Sequence, residues 1–166
     1  MPFVLLIAGL AGVVYVLRRS GLLDTARVRA FATAAPRWLL VYMVALAAQL
    51  AHTLFLTVGS LVVYTDPSLA GLESFIPLWG LLIYVVTNVV LLAYGVVLFR
   101  LMLSRRRSAI VHNVLFNALS IAFLVTWFLL GAKSPIGTVI DAVPGVVAIA
   151  YFALSRRLRE TFAIVH

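Results

Sequence analysis

Long apolar runs, separated by short basic segments, make up most of the chain. Four runs of 17 to 28 residues contain no charged side chain, and a fifth contains a single one, Asp141. A helix that crosses the hydrocarbon core of a bilayer needs about 20 consecutive apolar residues. The pattern therefore predicts an all-α protein, a polytopic transmembrane helical bundle that forms one domain over residues 1–166. The five spans are expected at about 1–17, 38–64, 76–100, 108–131 and 134–155.

The first run is the shortest, and a secretory signal peptide is the alternative to weigh against a span. Such a peptide carries basic residues before its apolar core. This chain begins Met1-Pro2 and places Arg18 and Arg19 after the run. That order favours a retained helix whose amino terminus lies outside. An interfacial or cleaved segment is the alternative, and it leaves the other four spans unchanged.

The composition excludes two broad classes of protein. Apolar residues make up 64% of the chain and charged residues 11%, and the mean hydropathy is +1.16. A soluble globular domain is roughly half apolar and about a quarter charged, so a water-soluble fold would expose much of this apolar excess. A disordered chain is poor in apolar residues. The absence of cysteine excludes a disulfide framework and thiolate chemistry.

Basic residues are concentrated between alternate spans. Twelve of the 13 lysines and arginines fall in the loop between the first two spans, in the loop between spans three and four, and in the tail. Lys133 falls on the other side of the predicted bundle. Lysine and arginine favour cytoplasmic loops. Five spans therefore predict an amino terminus outside and a cytoplasmic carboxyl terminus.

The net charge of +8 would suggest nucleic acid in a soluble protein. Here the basic clusters flank membrane spans, so we expect them to set topology and to attract anionic phospholipid headgroups, at about 1 kcal/mol per residue. No nucleic-acid partner is expected. The tail arginines are expected at the end of a helix that continues past the membrane, where cations suit the helix dipole. The candidate headgroup or topology residues are Arg105, Arg106, Arg107, Arg156, Arg157 and Arg159.

The longest loop, over residues 18–37, contains a signal for a short surface helix. Asp24 precedes Thr25-Ala26-Arg27, and an aspartate in that position can accept hydrogen bonds from the first free N–H groups of a helix. We therefore expect a surface helix that starts directly after Asp24.

Polar residues inside the predicted spans recur at helical spacing, which places them on one face of each helix. One interpretation is hydrogen bonding between helices, worth about 0.6 kcal/mol per contact. The other is a substrate or proton site near the middle of the bilayer. A carboxylate in a span is costly and usually faces a partner or water, so Asp141 is expected to pack inward, near His52. The candidate binding residues are Gln49, His52, Asn88, Asn117 and Asp141.

Catalytic and cofactor motifs are not found. The chain contains no H-E-x-x-H, no G-x-S-x-G, no phosphate-binding loop and no dinucleotide fingerprint. Its three histidines lack metal-ligand spacing, so neither a metal nor a cofactor is expected. We therefore expect a non-enzymatic accessory or assembly subunit of a larger membrane complex, with a membrane-protein partner or as a homo-oligomer. A small oligomeric transporter or channel component with a midplane polar site is the alternative, and a lipid-modifying enzyme ranks third.

The last four predicted spans carry a recognisable set of short patterns. Arg37-Trp38 opens a span, a charge-poor loop leads to Pro77-Leu78-Trp79, and Asn88 follows in the next helix. The most specific pattern is Tyr-Phe, Ser-x-Arg and Thr-Phe within residues 151–162. From about residue 36 to 162 the chain thereby resembles the bacterial integral membrane family catalogued as domain of unknown function 2569. The resemblance implies four spans with both ends cytoplasmic, in the bacterial cytoplasmic (inner) membrane, and it implies no activity.

Overall fold

The fold is built from helices joined by short connections. A computed structural model describes Tyr15, Arg19 and residues 24–65, 78–131 and 133–162. No strand occurs in these residues, so the predicted all-α class is confirmed for this part of the chain. The helices are α1 (Thr25–Ala34), α2 (Arg37–Thr65), α3 (Leu78–Leu103), α4 (Ser108–Leu129), α5 (Pro135–Leu154) and α6 (Arg156–Thr161).

Four of these helices, α2 to α5, are long and apolar enough to cross a membrane. Their ends lie within three residues of the spans predicted at 38–64, 76–100, 108–131 and 134–155. Between 11% and 22% of the most apolar window of each helix is buried. Most of their apolar surface therefore faces outward, as expected for helices surrounded by lipid. The predicted first span, over 1–17, lies outside the described residues except for Tyr15.

Local hydrogen bonds account for several helix ends. The Ala26 N–H donates to Asp24 Oδ1 at 3.0 Å, which confirms the predicted cap of α1. Ser134 caps α5 by accepting a hydrogen bond from the Gly137 N–H at 3.1 Å, and Pro135 follows in the first turn. At the end of α4 the chain turns at Gly131, whose φ of 73° suits a residue without a Cβ.

The end of α3 uses the same type of turn with a different residue. Arg105 has a φ of 49°, in the left-handed region. Its N–H donates to Met102 O at 2.9 Å, and the Arg106 N–H donates to Leu101 O at 3.2 Å. This pair of bonds is a Schellman motif. It closes α3 tightly, so that α4 begins a few residues later and runs back along it.

Successive long helices pack against each other, and the pair α4 and α5 has the most extensive interface. Edge-to-face ring contacts mark the antiparallel alignment of α3 and α4: Tyr84 lies 5.7 Å from Trp127, and Tyr94 lies 5.7 Å from Phe116. We call the end of the bundle where α2 and α4 begin and α3 and α5 end the basic end. The predicted cytoplasmic arginines of the described loops and tail lie there.

The apolar core is concentrated at the basic end. The short helix α1 contributes Phe31 and is held to the loop after α3 by a hydrogen bond from Arg105 Nη2 to Ala30 O at 2.8 Å. Farther from the basic end, the long helices bury few side chains. The core residues are Phe31, Leu39, Leu46, Leu98, Met102, Ala109, Phe116, Phe152, Leu158 and Phe162.

The prediction that the last helix continues past the membrane is wrong. The helix stops at Ser155, whose ψ of 112° is extended, and the same residue caps α6 by accepting a hydrogen bond from the Leu158 N–H at 3.4 Å. The chain turns because Leu158 and Phe162 are apolar residues four positions apart that bury themselves in the core. A straight continuation of α5 would leave both exposed.

Candidate functional site

A buried polar cluster links α2 and α4 near the basic end. Asn117 Nδ2 donates to Tyr42 Oη at 3.0 Å and to the Asn113 carbonyl at 2.8 Å. The Tyr42 ring lies 4.9 Å from Phe152 of α5, in an edge-to-face contact. Asn113, one turn earlier on α4, is fully buried and donates to Ala109 O at 2.7 Å. Three helices therefore meet at the Tyr42–Asn117 pair.

A second polar pair joins α3 and α4. Tyr94 Oη lies 3.0 Å from His112 Nδ1 and 3.4 Å from the His112 carbonyl. The tyrosine ring also contacts the His112 ring edge to face at 5.9 Å. Near the basic end, α4 therefore forms one hydrogen-bonded pair with α3, through His112, and one with α2, through Asn117.

Asn88, the candidate on α3, is half-buried, and its Nδ2 atom is buried without a hydrogen-bond partner among the described residues. Thr87 beside it is buried. An amide N–H held away from water and left unpaired costs about 1–3 kcal/mol. Within the described part of the chain, the Asn88 amide N–H is therefore unsatisfied.

Gln49 and His52, the candidates on α2, lie on the outside of the bundle. Both side chains are exposed, and neither has a hydrogen-bond partner in the described part of the chain. They are three residues apart and share one helix face with the exposed residues Ala45 and Ala48. This outer face of α2 (Ala45, Ala48, Gln49 and His52) is polar and small, and large exposed apolar residues, among them Val44 and Phe55, lie before and after it along the helix.

The expectation that Asp141 packs inward near His52 is wrong. The Asp141 side chain is 52% exposed and forms an ion pair with Lys133. Lys133 lies in the connection before α5, eight residues earlier in the chain, and is itself 28% exposed. A long lysine side chain can reach a charge on the next helix in this way. The carboxylate finds its counter-charge on its own side of the bundle, so it needs no partner from α2.

The five candidates therefore do not assemble into one site inside the bundle. Asn117 is buried and hydrogen-bonded, Asn88 is half-buried, and Gln49, His52 and Asp141 are exposed. Tyr42 and Tyr94, the tyrosines of the two pairs, were not among the candidate residues predicted from the sequence. No group of three metal-ligating side chains occurs among the residues with described positions.

The candidate arginines meet at the basic end, around two open cavities. The first cavity, of about 460 Å³, is lined by Arg107, Leu154, Arg156, Arg159 and Glu160. The second, of about 450 Å³, lies on the other side of Glu160. Arg105, Arg157 and Thr161 line it together with residues 34–36. Arg106 is exposed and lines neither cavity. The loop after α3 and the short helix α6, which are far apart in sequence, thus place five guanidinium groups around the Glu160 carboxylate.

Comparison with known proteins returned no match. No protein-family model matches the chain, and neither does any curated protein or any solved structure. The resemblance to the domain of unknown function 2569 family therefore stays a prediction, carried by the short patterns quoted above. The function has to be argued from the residues themselves.

Proposed function

We propose that this chain is a non-enzymatic integral membrane protein that acts as an accessory or assembly subunit of a larger membrane complex. One observation carries the proposal: polar side chains from the middle of an apolar helix, Gln49 and His52, lie on the outside of the bundle and are unpaired in its described part. A polar group that faces lipid without a hydrogen-bond partner is unfavourable. A helix from another membrane protein would supply that partner.

The neighbours of these two residues suit a helix–helix contact. Ala45 and Ala48 are exposed on the same face of α2, one turn before Gln49 and His52. Small residues allow two helix backbones to approach closely, and glutamine and histidine can then form hydrogen bonds across the interface. Glutamine offers both donors and an acceptor, and neutral histidine offers one of each. The outer face of α2 is therefore the proposed docking surface.

The same positions argue against the transporter alternative. A midplane substrate site requires several polar groups that converge inside the protein, and transporters usually build it where helices are interrupted. Here α2 and α3 run without interruption, and the buried Asn117 is hydrogen-bonded to Tyr42 within the bundle. Asp141 is paired with Lys133. The polar groups that remain unpaired on α2 point outward, toward a partner.

The proposed topology has five spans, with the amino terminus outside and the basic end at the cytoplasmic face of a bacterial inner membrane. Support comes from the arginines, which cluster at one end of the bundle, and from the bias of basic residues toward cytoplasmic loops. Lys133, at the opposite end, is neutralised by Asp141. Translocation of that short loop therefore carries little net charge.

Purification in mild detergent, followed by mass spectrometry, tests the accessory role. The wild-type chain should co-purify with a larger membrane protein in fixed stoichiometry. The double variant Gln49→Leu/His52→Leu should fold normally, since both side chains are exposed, and its affinity for the partner should fall about five- to tenfold. This follows from the loss of two interfacial hydrogen bonds of about 0.6 kcal/mol each.

Thr126→Val is the matched control. Thr126 is also exposed and polar in a long apolar helix, but its hydroxyl donates to Ala122 O of the same helix at 2.9 Å. This variant should retain the partner at wild-type stoichiometry. A homo-oligomer that moves a solute in liposomes, and that Asp141→Asn inactivates, would instead establish the transporter and overturn the accessory role.

A further inference from the structure

The first cavity at the basic end combines three guanidinium groups with an apolar wall. Arg107 comes from the start of α4, while Arg156 and Arg159 come from α6. Leu154, the last residue of α5, is 79% exposed beside them. The cavity therefore offers both positive charge and a large apolar side chain.

The charges in this cavity are not balanced. Among the described residues that line it, Glu160 is the one carboxylate, and it lies 3.7 Å from Arg156, with the two side chains 69% and 94% exposed. Such an exposed, long ion pair is weak. Arg159 donates one N–H to Ala153 O at 2.7 Å, and Arg107 has no carboxylate partner among the described residues. Two or more guanidinium groups are thus available to an anion.

We propose that this cavity binds the phosphate group of an anionic phospholipid. Guanidinium groups hydrogen-bond phosphate oxygens in pairs, in a geometry that lysine cannot match. Leu154, at the end of a membrane-spanning helix, packs against the upper part of an acyl chain. Basic pockets between transmembrane helices at the cytoplasmic face bind anionic headgroups in this manner. The site does not depend on the accessory role proposed above.

The break at Ser155 creates this site. A straight helix would carry Arg156 and Arg159 away from the bundle. Because Leu158 and Phe162 are buried, α6 instead folds back over the basic end and presents Arg156 and Arg159 on its outward side, next to Arg107. Residues that only bias topology need not lie together, whereas these three arginines line one cavity.

Two double variants that remove the same charge separate the pocket from general attraction. Arg107→Gln/Arg156→Gln removes two guanidinium groups from the cavity, and both side chains are exposed, so the fold should persist. Arg100→Gln/Arg106→Gln removes two exposed arginines of the same end that do not line it. Binding of phosphatidylglycerol and of phosphatidylcholine with the same acyl chains is measured by native mass spectrometry in neutral detergent.

The wild-type chain should prefer phosphatidylglycerol. The cavity variant should lose about a hundredfold of that affinity, because each hydrogen bond to a charged group contributes about tenfold. The control variant should keep the preference. Equal losses of phosphatidylglycerol affinity in both variants would show that the lipid is attracted by the overall charge of the basic end. That result would overturn the proposed pocket. An equal affinity of the wild type for the two lipids would also overturn it.

Inorganic phosphate distinguishes a lipid site from a soluble-anion site. Leu154→Asn should weaken phosphatidylglycerol binding while leaving the weak competition by inorganic phosphate unchanged, because only the lipid has an acyl chain. If inorganic phosphate binds as tightly as phosphatidylglycerol and Leu154→Asn affects neither, the ligand is a free phosphate and the lipid assignment is wrong.

Discussion

Tyr42 of α2 and Asn117 of α4 form a hydrogen bond within the core. Tyr42→Phe removes the hydroxyl and keeps the ring against Phe152. We expect the free energy of unfolding to fall by about 0.6–1 kcal/mol, between the average for a hydrogen bond between membrane helices and that for a buried hydrogen bond in soluble proteins. Reversible unfolding in mixed micelles, followed by circular dichroism, measures the change.

Tyr151→Phe is the control for that variant. The Tyr151 ring also contacts Phe152, at 5.6 Å, but its hydroxyl has no hydrogen-bond partner in the described part of the chain. This substitution should change the unfolding free energy by less than about 0.5 kcal/mol. An equal loss in the two variants would mean that the Tyr42–Asn117 bond contributes nothing to stability.

For a substitution at Asn88 we expect the opposite effect on the free energy of unfolding. Its Nδ2 atom is buried and unpaired, so Asn88→Leu removes an unsatisfied polar group without breaking a bond seen among the described residues. The isolated protein should be unchanged or more stable by about 1–3 kcal/mol in the same unfolding measurement. Asn117→Leu, which breaks two hydrogen bonds, should be less stable than wild type. A clear destabilisation by Asn88→Leu would show that the amide already has a partner within the protein.

At the scale of the helix, Gly95 sets how closely α2 and α3 approach. A Cβ built on Gly95 would lie 2.5 Å from Leu50 Cδ2 and 2.7 Å from Leu50 Cδ1. Gly95→Ala would force the flexible end of the Leu50 side chain to move, which costs about 1 kcal/mol, at the lower end of overpacking. Because alanine favours the helix by up to about 1 kcal/mol, the net result should be no gain in stability or a loss of at most about 1 kcal/mol. Leu50→Ala should relieve the clash, so the double variant should be more stable than the sum of the single effects predicts.

Gly59 lies in α2 with nothing within 4 Å of a built Cβ, and it is the matched control. Gly59→Ala should leave stability unchanged or raise it by up to about 1 kcal/mol, because alanine favours the helix. Equal effects of the two substitutions on the unfolding midpoint would show that α2 and α3 do not pack at Gly95.

Helix ends could be predicted from the sequence because the signals are local. Asp24 precedes α1, and Ser134 precedes α5, whose first residue is Pro135. The lipid-facing sides could not be predicted, because a helix that is apolar all round gives no contrast between its faces. On α3, the buried Leu98 and the exposed Val97 are equally apolar. The spacing of the apolar residues Leu158 and Phe162 indicates that the chain turns at Ser155. The three nearby arginines instead favoured the interpretation that the helix continues straight and that its charges set topology.

Polar candidates were harder to place than helices. Asn113 and Asn117 stand four residues apart, and both are buried on one face of α4, as their spacing suggested. Asp141 and His52 lie at similar distances from the basic end and therefore at similar depths in the bundle. Depth does not determine whether a side chain points inward or outward. The ion pair with Lys133 depends on the path of a short connection between two helices, which hydropathy does not encode.

For the whole molecule, the uneven charge of the two ends predicts the orientation in the membrane. The chain contains no cysteine, so each single-cysteine variant has a unique reactive thiol. Ser108→Cys places the thiol at the basic end, and Leu130→Cys places it in the connection at the opposite end; both positions are exposed. A membrane-impermeant maleimide is applied to intact cells and, in a second sample, to lysed cells. A thiol that reacts in intact cells lies outside the cytoplasm, and one that reacts only after lysis lies in the cytoplasm.

Leu130→Cys should react with intact cells, and Ser108→Cys only after lysis, because arginine-rich segments stay in the cytoplasm. Pro2→Cys should react with intact cells if residues 1–17 form a span in addition to α2 to α5. Reaction of Pro2→Cys only after lysis would remove that span and leave a four-span protein with both ends cytoplasmic, as the family resemblance implies. Labelling of both Ser108→Cys and Leu130→Cys from outside would contradict the bundle topology itself, since the antiparallel α4 separates these residues by 22 helical positions, about 33 Å at 1.5 Å per residue.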